Sequence, residues 1–190
     1  MIKRVVSGGQ TGADRGGLDA AIHCDVTHGG WCPKGRAAED GVIPARYELK
    51  ETGSTDYSRR TEANVVDSDA TVVFSYGKPT GGTALTITLC ERHERPYVFV
   101  DLIKLKESQA IALICSWLAE MSGDSIRVLN VAGSRESRSP GIASSVKRIM
   151  TNVLNATNGC GKVIYPQDSQ LRLSLRRAAD PGSSYGGDLS

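Results

Sequence analysis

Short apolar runs alternate with amphipathic segments along the first 158 residues of the chain. The run Ala-Thr-Val-Val-Phe-Ser-Tyr at 70–76 is almost continuously β-branched or aromatic, which is typical of a strand buried on both faces. Comparable short runs predict further strands at residues 3–7, 26–31, 97–100 and 126–131.

Between these runs, apolar residues recur at helical spacing. The spacing predicts helices at residues 13–23, 57–66, 83–94, 108–121 and 142–154. We expect Ser139 and Pro140 to start the last helix as its N-cap and first helical residue. Strands that alternate with helices predict an α/β fold with a mainly parallel sheet covered on both faces.

Two segments depart from this alternation. Residues 32–55 show no clear period, and a loop of that length inside a compact domain is usually functional or disordered. Residues 159–190 are rich in Gly, Ser and Arg and predict a poorly ordered tail, with a short basic helix at 170–178 as the alternative. The predicted organisation is therefore one domain over residues 1–158 followed by a tail over 159–190.

Composition excludes several classes of protein. The 190 residues carry 23 basic and 21 acidic side chains, a net charge of +2, so a strongly basic nucleic-acid binder is not indicated. The sequence holds no apolar run long enough for a membrane helix and no signal-peptide core, which predicts a cytoplasmic protein without membrane contact. The five scattered cysteines form no C-x-x-C pair, as expected for reduced thiols in the cytosol.

The first candidate site is the glycine-rich turn at residues 7–17, between the first strand and the first helix. Backbone N–H groups and the helix dipole favour an anion such as phosphate at such a turn. The spacing is neither G-x-G-x-x-G nor a P-loop, which disfavours dinucleotide binding and P-loop hydrolysis. A purely structural turn is the alternative. The candidate ligand-binding residues are Gly8, Gly9, Gln10, Thr11, Gly12, Ala13 and Asp14.

Two later turns repeat the strand–glycine–helix pattern. Gly81, Gly82 and Thr83 follow one predicted strand, and Gly133, Ser134, Arg135 and Ser137 follow another. Carboxyl ends of parallel strands face one crevice, so we expect the three turns to share a binding cleft. Arg135 suits a phosphate or another oxyanion, and a solvated loop is the alternative interpretation of its surroundings.

The remaining candidates are cationic or amide side chains. Lys34 and Arg36 lie in the irregular segment, and Arg60 and Asn64 lie four residues apart on one predicted helix face. Cys32 is more often inert than functional in such a context. The histidines show no metal-ligand spacing and no nucleophile motif occurs, so neither a catalytic residue nor a metal ligand is assigned.

With these motifs the chain resembles the putative molybdenum carrier family, within the wider SLOG group of Rossmann-like proteins. The resemblance covers roughly residues 1–158 and is carried by several long motifs in order, found at 7–21, 29–41, 60–65, 67–71, 81–83 and 130–137. It implies a Rossmann-like three-layer sandwich that is usually a homodimer or homotetramer. It also implies a nucleotide-like ligand, or the molybdenum cofactor, at the glycine-rich loops.

The same group includes LOG-type phosphoribohydrolases, which activate cytokinins. Their Pro-Gly-Gly-x-Gly-Thr-x-x-Glu motif ends in a catalytic Glu, whereas this chain has Thr86 at that position. The favoured reading is a carrier for a small anionic ligand, the molybdenum cofactor first, rather than an enzyme. A nucleoside monophosphate phosphoribohydrolase and a nucleotide sensor acting through the tail remain as alternatives.

Overall fold

The computed structural model describes residues 1–121 and 126–159, so the expectations for the tail beyond residue 159 lie outside the described residues. The helices are Ala13–His23 (α1), Tyr57–Val66 (α2), Gly81–Arg92 (α3), Glu107–Glu120 (α4) and Ile142–Thr157 (α5). The strands are Arg4–Val6 (β1), Thr27–Gly29 (β2), Trp31–Cys32 (β3), Ala37–Ala38 (β4), Gly41–Val42 (β5), Lys50–Glu51 (β6), Ala70–Ser75 (β7), Tyr97–Asp101 (β8) and Val128–Gly133 (β9).

Five strands form a central sheet in the order β2-β1-β9-β7-β8. All neighbours pair in parallel, with Val5 opposite Leu129 and Val72 opposite Val131 as register points. Helices flank this sheet, so the predicted Rossmann-like α/β sandwich with a parallel sheet is confirmed. The carboxyl ends of β1, β9 and β7 lie side by side as a consequence.

The two faces of the sheet have separate apolar clusters. Val72 belongs to the main core with residues of α1, α4 and α5, such as Ile114 and Val146. Successive side chains of a strand point to opposite faces, and Thr71 contacts Cys90 on α3. Cys90 packs with Val65 of α2 in a smaller cluster. The sheet is therefore a layer between α1, α4 and α5 on one side and α2 and α3 on the other.

The irregular segment is partly ordered by short pairings. One strand was predicted at 26–31, but Gly30 adopts φ 123° and divides it into β2 and β3. β3 pairs in parallel with β6, and β4 pairs with β5 as a hairpin. Within the described residues, no helix is long and apolar enough to cross a membrane.

The predicted start of the last helix is wrong. Ser139 and Pro140 lie in a turn, and Gly141 is the N-cap of α5 in the left-handed conformation. The Glu136 carboxylate accepts hydrogen bonds from the backbone N–H groups of Gly141 and Ala143. Glu136 therefore replaces the Ser139 hydroxyl as the acceptor at the start of α5, because the first N–H groups of a helix need an acceptor.

The contribution of the core to stability can be tested at Phe74, whose side chain is fully buried in strand β7. We expect Phe74→Ala to lower the free energy of unfolding by about 3–5 kcal/mol, because it leaves a cavity between sheet and helices. Val42→Ala, at a side chain that is 72% exposed, is the matched control and should change stability by less than about 0.5 kcal/mol. Urea titration measures both, and equal effects would contradict the assigned core.

Candidate functional site

A cavity of about 360 Å³ opens at the carboxyl ends of β7 and β9. Eight of the candidate residues from the sequence line it, and they come from all three glycine-containing turns and from α2. They are Gln10, Arg60, Gly81, Gly82, Thr83, Gly133, Ser134 and Arg135. The topology thus brings the three turns to one cavity, which we call the anion cavity because of the side chains described next.

The charged residues in the wall of the anion cavity are all basic. They are Arg60, Lys78, Arg135 and Arg138, and no carboxylate belongs to the described lining. Like charges held close together repel one another unless an anion lies between them. The cavity therefore favours a ligand with more than one negative charge.

Gln10 contributes an unpartnered hydrogen-bond donor to this wall. Its side chain is almost wholly buried. The Oε1 atom accepts from the N–H groups of Thr11 (3.0 Å) and Glu39 (2.9 Å), which fixes the orientation of the amide. The Nε2 atom has no partner among the described residues. Buried donors are nearly always satisfied, so a ligand acceptor is the missing partner that this geometry suits.

Arg60 is held by a buried ion pair with Asp14. The Nη1 atom of Arg60 lies 3.0 Å from Oδ2 of Asp14, which also accepts from the Gln10 N–H at 3.2 Å. Burial raises the pKa of the Asp14 carboxyl, and the Arg60 guanidinium counteracts that shift. A Cβ atom on Gly8 would overlap the guanidinium, so the glycine leaves the space that Arg60 occupies.

Tyr57 organises two of the cations, and the sequence reasoning missed it as a site residue. The guanidinium carbons of Arg60 and Arg135 lie 5.9 Å and 5.3 Å from the centroid of its ring. Both distances fall within the range of cation–π attraction. The available signal was the spacing of Tyr57 and Arg60, which lie three residues apart in the first turn of a helix.

The N-terminus of α3 provides free backbone donors. The N–H groups of Gly81 and Gly82 precede the first intrahelical hydrogen bonds and have no partner among the described residues. A Cβ atom on Gly82 would meet no neighbouring atom within 4 Å, so space remains in front of this backbone. Thr86 lines the same cavity, and its hydroxyl donates to the Gly82 carbonyl at 3.0 Å.

The first glycine-rich turn faces protein rather than the cavity, apart from Gln10. The N–H of Ala13, at the start of α1, donates to the Ser134 carbonyl at 3.0 Å. Gly12 has φ 82°, and a Cβ atom there would collide with the backbone of residues 134–136. The glycines at 8, 9 and 12 and Ala13 are buried, so the structure does not bring them to the cavity surface.

Thr11 and Ser137 are bonded to Glu39 instead of lining the cavity. The Thr11 hydroxyl donates to Glu39 Oε1, and the Ser137 hydroxyl donates to Oε2 at 2.6 Å. Burial alone would raise the pKa of Glu39, but these hydrogen bonds outweigh it and lower the pKa. Next to Glu39, Arg15 binds both oxygens of Asp40, at 2.6 Å and 2.7 Å, and lowers the pKa of that carboxyl. These contacts attach Glu39 to the first and third glycine-containing turns and Asp40 to α1.

Three further candidates serve the local structure. The guanidinium of Arg36 donates to four backbone carbonyls between residues 43 and 49. The Asn64 amide bonds the backbone of Trp31 through both its oxygen and its nitrogen, at 2.8 Å and 2.9 Å. Lys34 is exposed on the short 3-10 turn before β4. None of the three lines the anion cavity.

Lys78 and Arg138 are cavity residues that the predicted set lacked. Lys78 lies three residues beyond β7 and Arg138 five residues beyond β9, in turns that were recognised, so the same reasoning could have included them. The buried Cys32 thiol has a pKa raised by its burial, which fits an inert side chain. Within residues 1–121 and 126–159, no cluster of three His, Cys, Asp or Glu side chains could hold a metal ion.

Comparison with known proteins places the chain in a family. A sequence profile of the circularly permutated YpsA SLOG family matches residues 5–154. The chain belongs to this SLOG family. A crystal structure from Syntrophus aciditrophicus, of a protein named "Putative molybdenum carrier protein", is 43% identical to this SLOG-family chain. The two superpose with a TM-score of 0.77 over 80% of this chain and 95% of the other. No curated protein matches the chain.

Gly12 tests the contact between the first and third turns of this SLOG-family protein. We expect Gly12→Val to lower the free energy of unfolding by about 3 kcal/mol or more, because it combines overpacking with a positive φ that β-branched residues avoid. The control is Gly53→Val, where a Cβ atom meets no neighbour within 4 Å and φ is not positive. Thermal denaturation compares the two. A stable Gly12→Val protein that lost only ligand binding would contradict this role.

The stabilising effect of the ion pair between Asp40 and Arg15 can be tested by removing the carboxylate. Its pKa lies below the ordinary value of 3.8 in the folded protein, so its stabilising contribution is present above that pH and is lost as the pH falls through the folded pKa. We expect Asp40→Asn to lower the melting temperature at pH 7. The gap to the parent should narrow as the pH falls below about 4.

Glu48→Gln is the control for this comparison, since Glu48 is an exposed residue whose carboxylate binds nothing in the described chain. Its melting temperature should follow the parent at every pH. A gap between Asp40→Asn and the parent that stays constant with pH would contradict the ionic contribution of Asp40.

Proposed function

We propose that this SLOG-family protein is a carrier that binds a small phosphate-bearing anion in the anion cavity. The observation that supports this most is the unpartnered Nε2 donor of buried Gln10 in a wall whose charged residues are all basic. The free N–H groups of Gly81 and Gly82 add donors at a helix N-terminus, where phosphate groups bind well. Phosphate oxygens are acceptors for all of these groups.

The molybdenum cofactor is the ligand we favour. It joins a terminal phosphate to an oxo-metal head, and both ends need N–H donors, hydroxyls or cations. The S. aciditrophicus protein, 43% identical, carries a molybdenum carrier name. The described residues offer no cluster of metal-ligating side chains, so the protein would hold the cargo through hydrogen bonds to its oxygens. Such contacts bind an oxyanion without fixing a metal permanently, which suits transfer to another protein.

Cleavage of an N-glycosidic bond receives less support from the same cavity. That reaction needs a carboxylate near the ribose to stabilise or deprotonate the reacting group. The described lining contains none, and Asp14 lies beneath Arg60, bound to its guanidinium. Thr86 stands where LOG-type enzymes have their catalytic Glu, and its hydroxyl bonds a helix carbonyl. These contacts favour binding over hydrolysis.

The two functions separate in one set of measurements on freshly purified full-length protein. Molybdenum detected by elemental analysis, together with pterin fluorescence released on denaturation, supports the carrier. Release of free base from nucleoside monophosphates supports the hydrolase and would overturn the carrier proposal. Protein that carries neither group and binds neither added molybdenum cofactor nor the phosphate probes also overturns it.

Arg135 tests the anion cavity directly. We expect Arg135→Ala to weaken binding of inorganic pyrophosphate by about tenfold to a hundredfold, because a charge-assisted hydrogen bond contributes roughly 1.5–3 kcal/mol. The salt dependence of binding should fall as well. Arg59→Ala removes the same charge from an exposed position outside the cavity and should bind like the parent. Calorimetry at two ionic strengths measures both, and unchanged binding by Arg135→Ala would contradict the assignment.

A further inference from the structure

A second cavity, of about 440 Å³, adjoins the anion cavity. Tyr76 belongs to the walls of both. The second cavity lies where residues 102–106 follow β8, and β8 is the neighbour of β7 in the sheet. Both cavities therefore open on the same edge of the sheet, one strand apart. We call the second one the rim cavity.

Asp101 holds the loops of the two cavities together. Its Oδ1 atom accepts from the Gly77 N–H at 2.9 Å and from the Ile103 N–H at 3.0 Å. Gly77 directly follows Tyr76, and Ile103 is part of the rim cavity. The Asp101 carboxylate is mostly buried, so both hydrogen bonds are shielded from water. The two walls are thus one hydrogen-bonded unit, with Tyr76 between the cavities.

The rim cavity differs chemically from its neighbour. Leu102, Ile103 and Leu105 give it an apolar wall, to which Tyr76 adds an aromatic ring. Ile103 is 71% exposed although it is a large apolar side chain. Lys104 and Lys106 also belong to its lining, and Glu107, the carboxylate of the described lining, is paired with Arg148. A flat ring fits the apolar part of this surface, because it would cover the isoleucine and stack near the tyrosine.

From this juxtaposition we propose that the rim cavity binds the heterocyclic ring of the ligand whose phosphate occupies the anion cavity. The proposal rests on the proposed function for the position of the phosphate. It adds the place of the ring: a flat heterocycle on a phosphate-bearing chain would lie past Tyr76 against Ile103. A purine nucleotide and a phosphorylated pterin share this chemistry.

Matched pairs of probes test the ring site. Adenosine diphosphate is compared with inorganic pyrophosphate, and dihydroneopterin triphosphate with inorganic tripolyphosphate, by calorimetry on the full chain. We expect the ring-bearing probe of at least one pair to bind about tenfold more tightly than its bare phosphate, and the pair that shows this gain identifies purine or pterin. Ile103→Ser should weaken the ring-bearing probe about fivefold and leave the bare phosphate unchanged.

Ile22→Ser is the matched control, because Ile22 is an exposed isoleucine near the far end of α1. It should bind every probe like the parent. Equal affinities within both pairs, or no effect of Ile103→Ser on a ring-bearing probe, would overturn the ring site while phosphate binding persists. Failure of all four probes, and of the molybdenum cofactor, would instead overturn the proposed function and the ring site with it.

Discussion

The buried ion pair between Arg60 and Asp14 is the contact on which the anion cavity depends. It joins α2 to the first turn of α1, with the Nη1 atom 3.0 Å from the carboxylate. Both side chains are largely removed from water, and removal of one partner from such a pair typically costs about 3–5 kcal/mol. The pair also fixes the position of one of the four cations in the wall. Gly8 is required beneath it, because any side chain there would occupy the place of the guanidinium.

The N-termini of α1 and α3 have opposite roles. That of α1 is closed by the Ser134 carbonyl and by the tight approach of Gly12 to the third turn. That of α3 is open at Gly81 and Gly82. The sheet topology places both at the same edge, yet of the two only the α3 terminus lines the anion cavity. A glycine-rich turn therefore marks close packing in one case and an accessible backbone in the other.

The sequence predicted the layers of the fold and the convergence of the turns, because both follow from strand–helix alternation. Gly81, Gly133 and Arg135, which line the cavity, were predicted from their position after strands. Sequence alone could not show that Arg36 binds four carbonyls, since those carbonyls belong to a segment without periodicity. The start of α5 was misplaced for a similar reason: the acceptor is a Glu136 side chain five residues before the N-cap.

Because positive charge is concentrated around one cavity, the stability of the folded chain should depend on whether an anion is bound there. Four cations face a common space without a carboxylate in the described lining. An anion that binds only the folded protein shifts the equilibrium away from unfolded molecules, by about 2.7 kcal/mol at a hundredfold excess over Kd. Loaded molecules would then resist proteolysis longer than empty ones. The abundance of such a carrier in the cell would follow the supply of its cargo, without any dedicated regulator.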